Sequence, residues 1–184
     1  MKELRFLSAN PHKVREVEEL LAPFDVKVVG VARKIEEIQS DDVELLVRDK
    51  AVKAFASLGR PVFVEHTGLE LVGLNGLPGG LTQVFWDRLE ADRFCTLVHG
   101  LSSAEVVART TVGYCDGRQL HFFDGSIEGT VPATPRGSRD FQWDCVFIPT
   151  GESRTFAEMG TEKNLVSMRR RAMDALGAHL RSRA

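Results

Sequence analysis

Several absences bound this sequence of 184 residues before any motif is considered. It has three cysteines, Cys95, Cys115 and Cys145, an odd number with no CxxC pair, which excludes a disulfide framework or a zinc finger and points to reduced thiols. It has no basic surplus. A formal charge of -2 offers no general attraction to the phosphate backbone of a long nucleic acid, so any phosphate it binds is expected on a small molecule. Long apolar runs are missing too: the opening "MKELRFLSAN" carries no signal-peptide h-region and no stretch approaches a membrane span, so the expectation is a cytoplasmic protein without membrane contact. Internal repeats, low-complexity tracts and linkers are equally absent. With 43% hydrophobic residues, the whole chain, 1–184, is expected to form one domain with a sizeable core.

The patterning is that of a mixed α/β protein. "ELRFLSA" reads as a strand, followed by a turn and an amphipathic helix with Val14, Val17, Leu20, Leu21 and Phe24 on one face. Asn10 and Pro11 suit its N-cap and first helical position. "VKVVGVA" is a second strand, and a second helix is expected over 41–58, ended by Gly59 and Pro61. "PVFVEH" reads as a buried, central strand closing at Glu65 and His66. Helical material follows from Val84 to Val98, and a hairpin is expected around the Asp-Gly pair of "CDGRQ". "FQWDCVFIP" is read as a strand after a loop, and Leu165 to Leu180 as a closing helix with Leu165, Arg169, Ala172, Met173, Leu176 and Leu180 along one side.

Four polar clusters interrupt this scaffold. "SANPHK" places Ser8, Asn10 and Lys13 at a helix N-terminus, where free amides and the dipole favour an anion, although the same residues serve as ordinary caps. "EEIQSDD" with Lys50 is either a helix start or a phosphate contact. Glu65 and His66 of "VEHTG" lie where ligands gather in open α/β sheets, or are structural. In "DFQWD", Phe141 and Trp143 alternate along the presumed strand, so one of them belongs to the core. The other can stack on a base whose edge is read by Asp144 and Arg169.

These clusters, in this order, resemble the inosine triphosphate pyrophosphatase family. "SANPHKVREVEELL" is similar to T-G-N-x-x-K-x-x-E-x-x-x-x-L, and "PVFVEHTGLELVGLNGLPGG" to P-V-x-V-E-D-[ST]-G-L-x-V-x-x-L-x-G-x-P-G. "DFQWDCVF" is similar to x-F-G-[YW]-D-P-x-F, and "TFAEMGTEKNLVSMRRRA" to T-x-A-E-[LM]-x-x-x-E-K-x-x-[IV]-S-H-R-x-x-A. "EIQ" precedes the second helix. The resemblance implies an elongated mixed sheet with flanking helices forming two lobes around a nucleotide cleft, a homodimer, and Mg²⁺-dependent cleavage of a purine nucleoside triphosphate to monophosphate and pyrophosphate. Carried over by position, Ser8, Asn10, Lys13 and Lys50 hold the triphosphate. Glu37 and Glu65 match metal-site carboxylates, Thr67 the [ST] of the strand motif, and Phe141 the stacking ring. Trp143, Asp144, Lys163 and Arg169 shape or read the base pocket.

The departures fall in the presumed cleft. His66 stands where the pattern has Asp, Met168 where it has His, and Gln142 and Cys145 where it has Gly and Pro. Imidazole suits softer ions than Mg²⁺, so Mg²⁺ binding is expected to weaken, with Mn²⁺ or no metal in its place. An unperturbed His66 could act as a general base near neutral pH, beside Glu65 in sequence but on the opposite strand face. Three functions stay open from the residues: pyrophosphate release, a different cleavage (N-glycosidic or phosphomonoester) run by Glu65 or His66, and nucleotide binding without catalysis.

Overall fold

The computed structural model describes residues 2–182 and is α/β, as the patterning implied. β1 (Lys2–Leu7) leads to α1 (Pro11–Leu21), β2 (Val26–Val31), α2 (Val43–Leu58) and β3 (Val62–Leu71). Then follow α3 (Thr82–His99), β4 (Glu105–Cys115), β5 (Leu120–Thr130), β6 (Ile148–Pro149), α4 (Phe156–Met159) and α5 (Met168–Ser182). The strands form one mixed sheet in the order β2-β1-β3-β4-β5-β6. β1 pairs parallel with β2 and β3, and the rest of the sheet is antiparallel. The hairpin expected at Asp116-Gly117 joins β4 and β5, with Cys115 opposite Leu120.

β3 is the spine of the molecule. Its first half is sandwiched: Phe63 packs with Leu4, Phe6, Leu21, Met173 and Leu176 under α1 and α5. Val62 and Val64 face the other way, toward Val47, Ala51 and Ala54 of α2. Its second half enters another core, where Leu69 and Leu71 meet Phe94, Val98, Phe147 and Phe156. The two halves thus belong to two lobes, and the polar triplet Glu65-His66-Thr67 occupies the passage between them. This corrects the expectation that the strand closes at His66, because β3 continues five residues further, to Leu71, paired throughout with β4. What ends near Glu65 is the parallel pairing with β1, whose last register pair is Phe6 with Phe63.

Two further expectations are corrected. "FQWDCVFIP" is not a strand: 142–146 form a 3₁₀ turn and only Ile148–Pro149 pair with β5. Gln142 has φ of 44°, a left-handed conformation costly for a residue with a Cβ. That turn, rather than strand alternation, sends Phe141 and Trp143 in different directions. The closing helix starts at Met168 instead of Leu165. Gly160–Leu165 form a 3₁₀ segment, and the Ser167 hydroxyl accepts the Arg170 amide, capping a new helix. Leu165 is consequently exposed, at 74%. α5 then lies directly on β5, an approach that requires Gly125, since a Cβ there would collide with the Met168 carbonyl.

Candidate active site

α1 brings Asn10, Lys13 and Glu16 to the sheet. Asn10 caps the helix as expected: its side-chain oxygen accepts the His12 and Lys13 amides, while the Ser8 hydroxyl accepts the Asn10 amide. Lys13 and Glu16, one turn apart, share the helix face that meets β3 and α5.

From these elements comes a continuous run of alternating charge. Lys13 Nζ lies 3.0 Å from Glu65 Oε1. Arg169 grips Glu65 with two prongs, Nε to Oε2 at 2.9 Å and Nη2 to Oε1 at 3.1 Å. Its third nitrogen, Nη1, bonds Glu16 Oε2. Lys163 Nζ bridges Glu16 Oε1 at 2.6 Å and Asp144 Oδ2 at 2.5 Å. Three cations therefore face three carboxylates, and Glu65 and Arg169 are each only 3% exposed. Such burial is tolerable because every charge has a partner.

The electrostatics follow from that packing. Burial alone would raise the Glu65 carboxyl, but Arg169 and Lys13 outweigh it and hold the group well below the usual carboxylate range. Burial lowers Lys13 despite its pairing with Glu65. Asp144 is pushed up to about 6 by burial, against the pull of Lys163.

The run ends beside an aromatic platform. Lys163 Nζ sits 4.2 Å from the centroid of the Phe141 ring. Phe141, Asp144, Lys163, Glu16, His12 and Asp140 help to line a cleft of about 320 Å³, a volume in the range of small-ligand sites. Trp143 turns away and packs with Phe147 and Phe156 at 5.8 and 6.5 Å, so of the two aromatics it is the core residue. Thr67 joins the charged run through Arg169 Nη2 at 3.4 Å and bonds Thr110 across the sheet.

His66 faces the other side of β3 with Val62 and Val64, toward α2, as strand alternation requires. Its Nε2 is shielded from solvent and has no hydrogen-bond partner. Burial pushes its pKa down to about 4, Lys13 and Lys50 reinforce this, and Glu37 and Glu65 oppose it. The ring is therefore neutral at physiological pH and a weaker base than a free histidine. Lys50, on α2, pairs with Glu37 at 2.8 Å.

The residues proposed for a metal do not fit one. Both Glu65 oxygens are occupied by Lys13 and Arg169, Glu37 is neutralised by Lys50, and the neighbouring position is an imidazole. Among the described residues no three His, Cys, Asp or Glu side chains are grouped to hold an ion.

Of the residues singled out in the sequence, Lys13, Glu65, Thr67, Asp144, Lys163 and Arg169 belong to one connected polar run, and its Asp144 and Lys163 line the cleft with Phe141. Ser8 and Asn10 stand at the start of α1, ahead of Lys13, and Lys50 pairs with Glu37 on the α2 side of β3, toward which His66 points. Glu16 was not singled out, although it joins Arg169 to Lys163. Its signal was its place three residues after Lys13.

Comparison with known proteins matches this geometry to a family. The Ham1 family model matches residues 4–179. The dITP/XTP pyrophosphatase of Pyrobaculum aerophilum is 33% identical over 181 residues, 98% of this chain and 97% of that protein. The inosine triphosphate pyrophosphatase of Yarrowia lipolytica is 35% identical over 182 residues, covering 97% and 96%. A HAM1 protein from Coxiella burnetii superposes with a TM-score of 0.84 at 26% identity, covering 99% of this chain and all of that one. With similarity running nearly end to end in sequence and fold, the chain belongs to the Ham1 family.

Proposed function

We propose that this protein hydrolyses a purine nucleoside triphosphate to its monophosphate and pyrophosphate. The observation that carries the reading is the charged run Lys13-Glu65-Arg169-Glu16-Lys163-Asp144 ending at the Phe141 ring. It offers a stacking face and a graded set of donors and acceptors at one end, and ammonium groups for phosphates at the other. The relatives named as dITP/XTP and inosine triphosphate pyrophosphatases support the reaction class.

In this reading Phe141 stacks on the base, and Asp144, Lys163 and Arg169 discriminate its edge, since stacking alone tolerates any base. Lys13 and Lys50 hold the phosphates, with Ser8 and Asn10 at the mouth of α1. Glu65 acts chiefly by fixing Lys13 and Arg169, and His66 Nε2 faces the phosphate end. The protein acts on a free nucleotide, as a cytoplasmic homodimer, and among the described residues no helix is long and apolar enough to cross a membrane.

A second reading, nucleotide binding without turnover, is favoured by one observation: His66 is a neutral imidazole, and among the described residues no three His, Cys, Asp or Glu side chains are grouped to hold a metal. Pyrophosphate and phosphate release from a panel of purine triphosphates, with Mg²⁺, Mn²⁺ or chelator, separates the two. Pyrophosphate release that disappears in Lys13→Ala supports hydrolysis, whereas tight binding of the same nucleotides with no product supports the second reading.

A further inference from the structure

The phosphate end of the cleft disagrees with the divalent ion the family resemblance implies, and that disagreement has a positive content. Mg²⁺ demands a near-octahedral oxygen shell and is usually held through one or two carboxylates. Here each candidate carboxylate already has an ammonium or guanidinium on it: Glu65 has Lys13 and Arg169, and Glu37 has Lys50. Binding a metal there would expel those cations from their partners.

The same place offers an anion what it denies a metal. The ammonium groups of Lys13, on α1, and Lys50, on α2, both act on the His66 ring and disfavour its protonation. The carboxylates Glu37 and Glu65 act on the ring in the opposite sense, each paired to one of those lysines. His66 Nε2 is shielded and unpartnered, a buried polar atom that a phosphate oxygen can satisfy by accepting its N–H. Lys13 can shift from carboxylate to phosphate oxygen because Arg169 still holds Glu65, and Lys50 can do so because Glu37 is 39% exposed and can be satisfied by water.

We infer that this chain binds the polyphosphate, whether of the nucleotide or as released pyrophosphate, as a metal-free anion. Lys13 and Lys50 neutralise it and His66 Nε2–H donates a hydrogen bond to it. The inference rests on the nucleotide reading above and adds that divalent metal is dispensable for binding.

Calorimetric titration of the whole protein with inorganic pyrophosphate, inosine triphosphate and inosine monophosphate, each in chelator and in excess Mg²⁺, tests this. Expected are affinities for pyrophosphate and the triphosphate that change by less than about threefold between the two conditions. His66→Asp, which sets a carboxylate against the phosphates, should weaken chelator-condition binding about tenfold or more, with Mg²⁺ restoring it. His66→Asn, which keeps a neutral donor, should bind without metal, and recovery of His66→Asp binding in Mg²⁺ shows that its loss in chelator is not a folding defect. Pyrophosphate or triphosphate binding that appears only with Mg²⁺ overturns the inference, as does a His66→Asp protein that binds in chelator as well as its parent. The monophosphate engages chiefly the base end, so failure of both nucleotides in every condition would instead refute the proposed function.

Discussion

Replacing Glu65 by Gln removes the one carboxylate shared by Lys13 and Arg169 while keeping nearly the same shape. Arg169 retains Glu16, but Lys13 loses its ion-pair partner in a setting where burial already disfavours its charge. Breaking a buried pair by deleting one member costs about 3–5 kcal/mol. For a domain of this size each kcal/mol lowers Tm by roughly 2–4 °C, so a fall of roughly 6–20 °C is expected. The pH dependence gives a second, independent check. The Glu65 carboxyl lies below its unfolded value of 4.5, so its stabilising contribution is complete above that pH and is lost as the pH falls further. The gap between parent and Glu65→Gln, read as denaturant midpoints multiplied by the slope, should be widest near neutrality and shrink below pH 4.5. A loss under about 1 kcal/mol at pH 7, within the range of exposed pairs, would show that the charged run does not hold the two lobes together.

Asp144 should behave in the opposite sense. Its carboxyl rises from 3.8 to about 6 on folding, so its contribution to stability falls as the pH climbs through that window. Asp144→Asn should flatten the stability profile there, as measured by urea midpoints at closely spaced pH values. Phe141→Ala should weaken nucleotide binding by about 1–3 kcal/mol with little change in Tm, because the lost term is base stacking and the ring is only half-buried. Gln142 couples a left-handed backbone to a side-chain bond, its amide donating to Gln83 Oε1 at 2.8 Å. Gln83→Ala should cost about 1 kcal/mol, whereas Gln142→Gly, which loses the same bond but gains about as much in relieved strain, should melt close to the parent.

The scaffold was legible wherever apolar periodicity was uninterrupted: α1 with its Asn10 cap, β1, β2, the β4–β5 hairpin and α2 all form as patterned. One misreading arises because hydropathy treats a charged residue as solvent-facing. Glu65 broke an apolar run, so β3 looked finished, yet the residue is buried because Lys13 and Arg169 travel into the core with it. The error at 142–146 is different. Phe, Trp, Cys and Val favour strands, but the left-handed Gln142 and the burial of Trp143 against Phe147 and Phe156 impose a turn that no local propensity announces. Leu165 was misplaced because Ser167 restarts the helix two residues later.

The alternation along β3 also explains how position 66 could depart from the family pattern without dismantling the rest. Glu65 and Thr67 point to α1 and α5, where Arg169 binds both and, through Glu16, ties them to Lys163, Asp144 and the base platform. His66 points to α2 and touches none of that run by hydrogen bond. A change of side chain there acts on the phosphate end, through Lys13 and Lys50, and leaves the base-reading end in register. On the proposed function, the strand thereby separates two properties, which base is accepted and how the phosphates are neutralised. His66→Asp should therefore alter the metal dependence of polyphosphate binding while the affinity for inosine monophosphate stays the same. A parallel loss of monophosphate affinity would mean that the two faces of β3 are not independent.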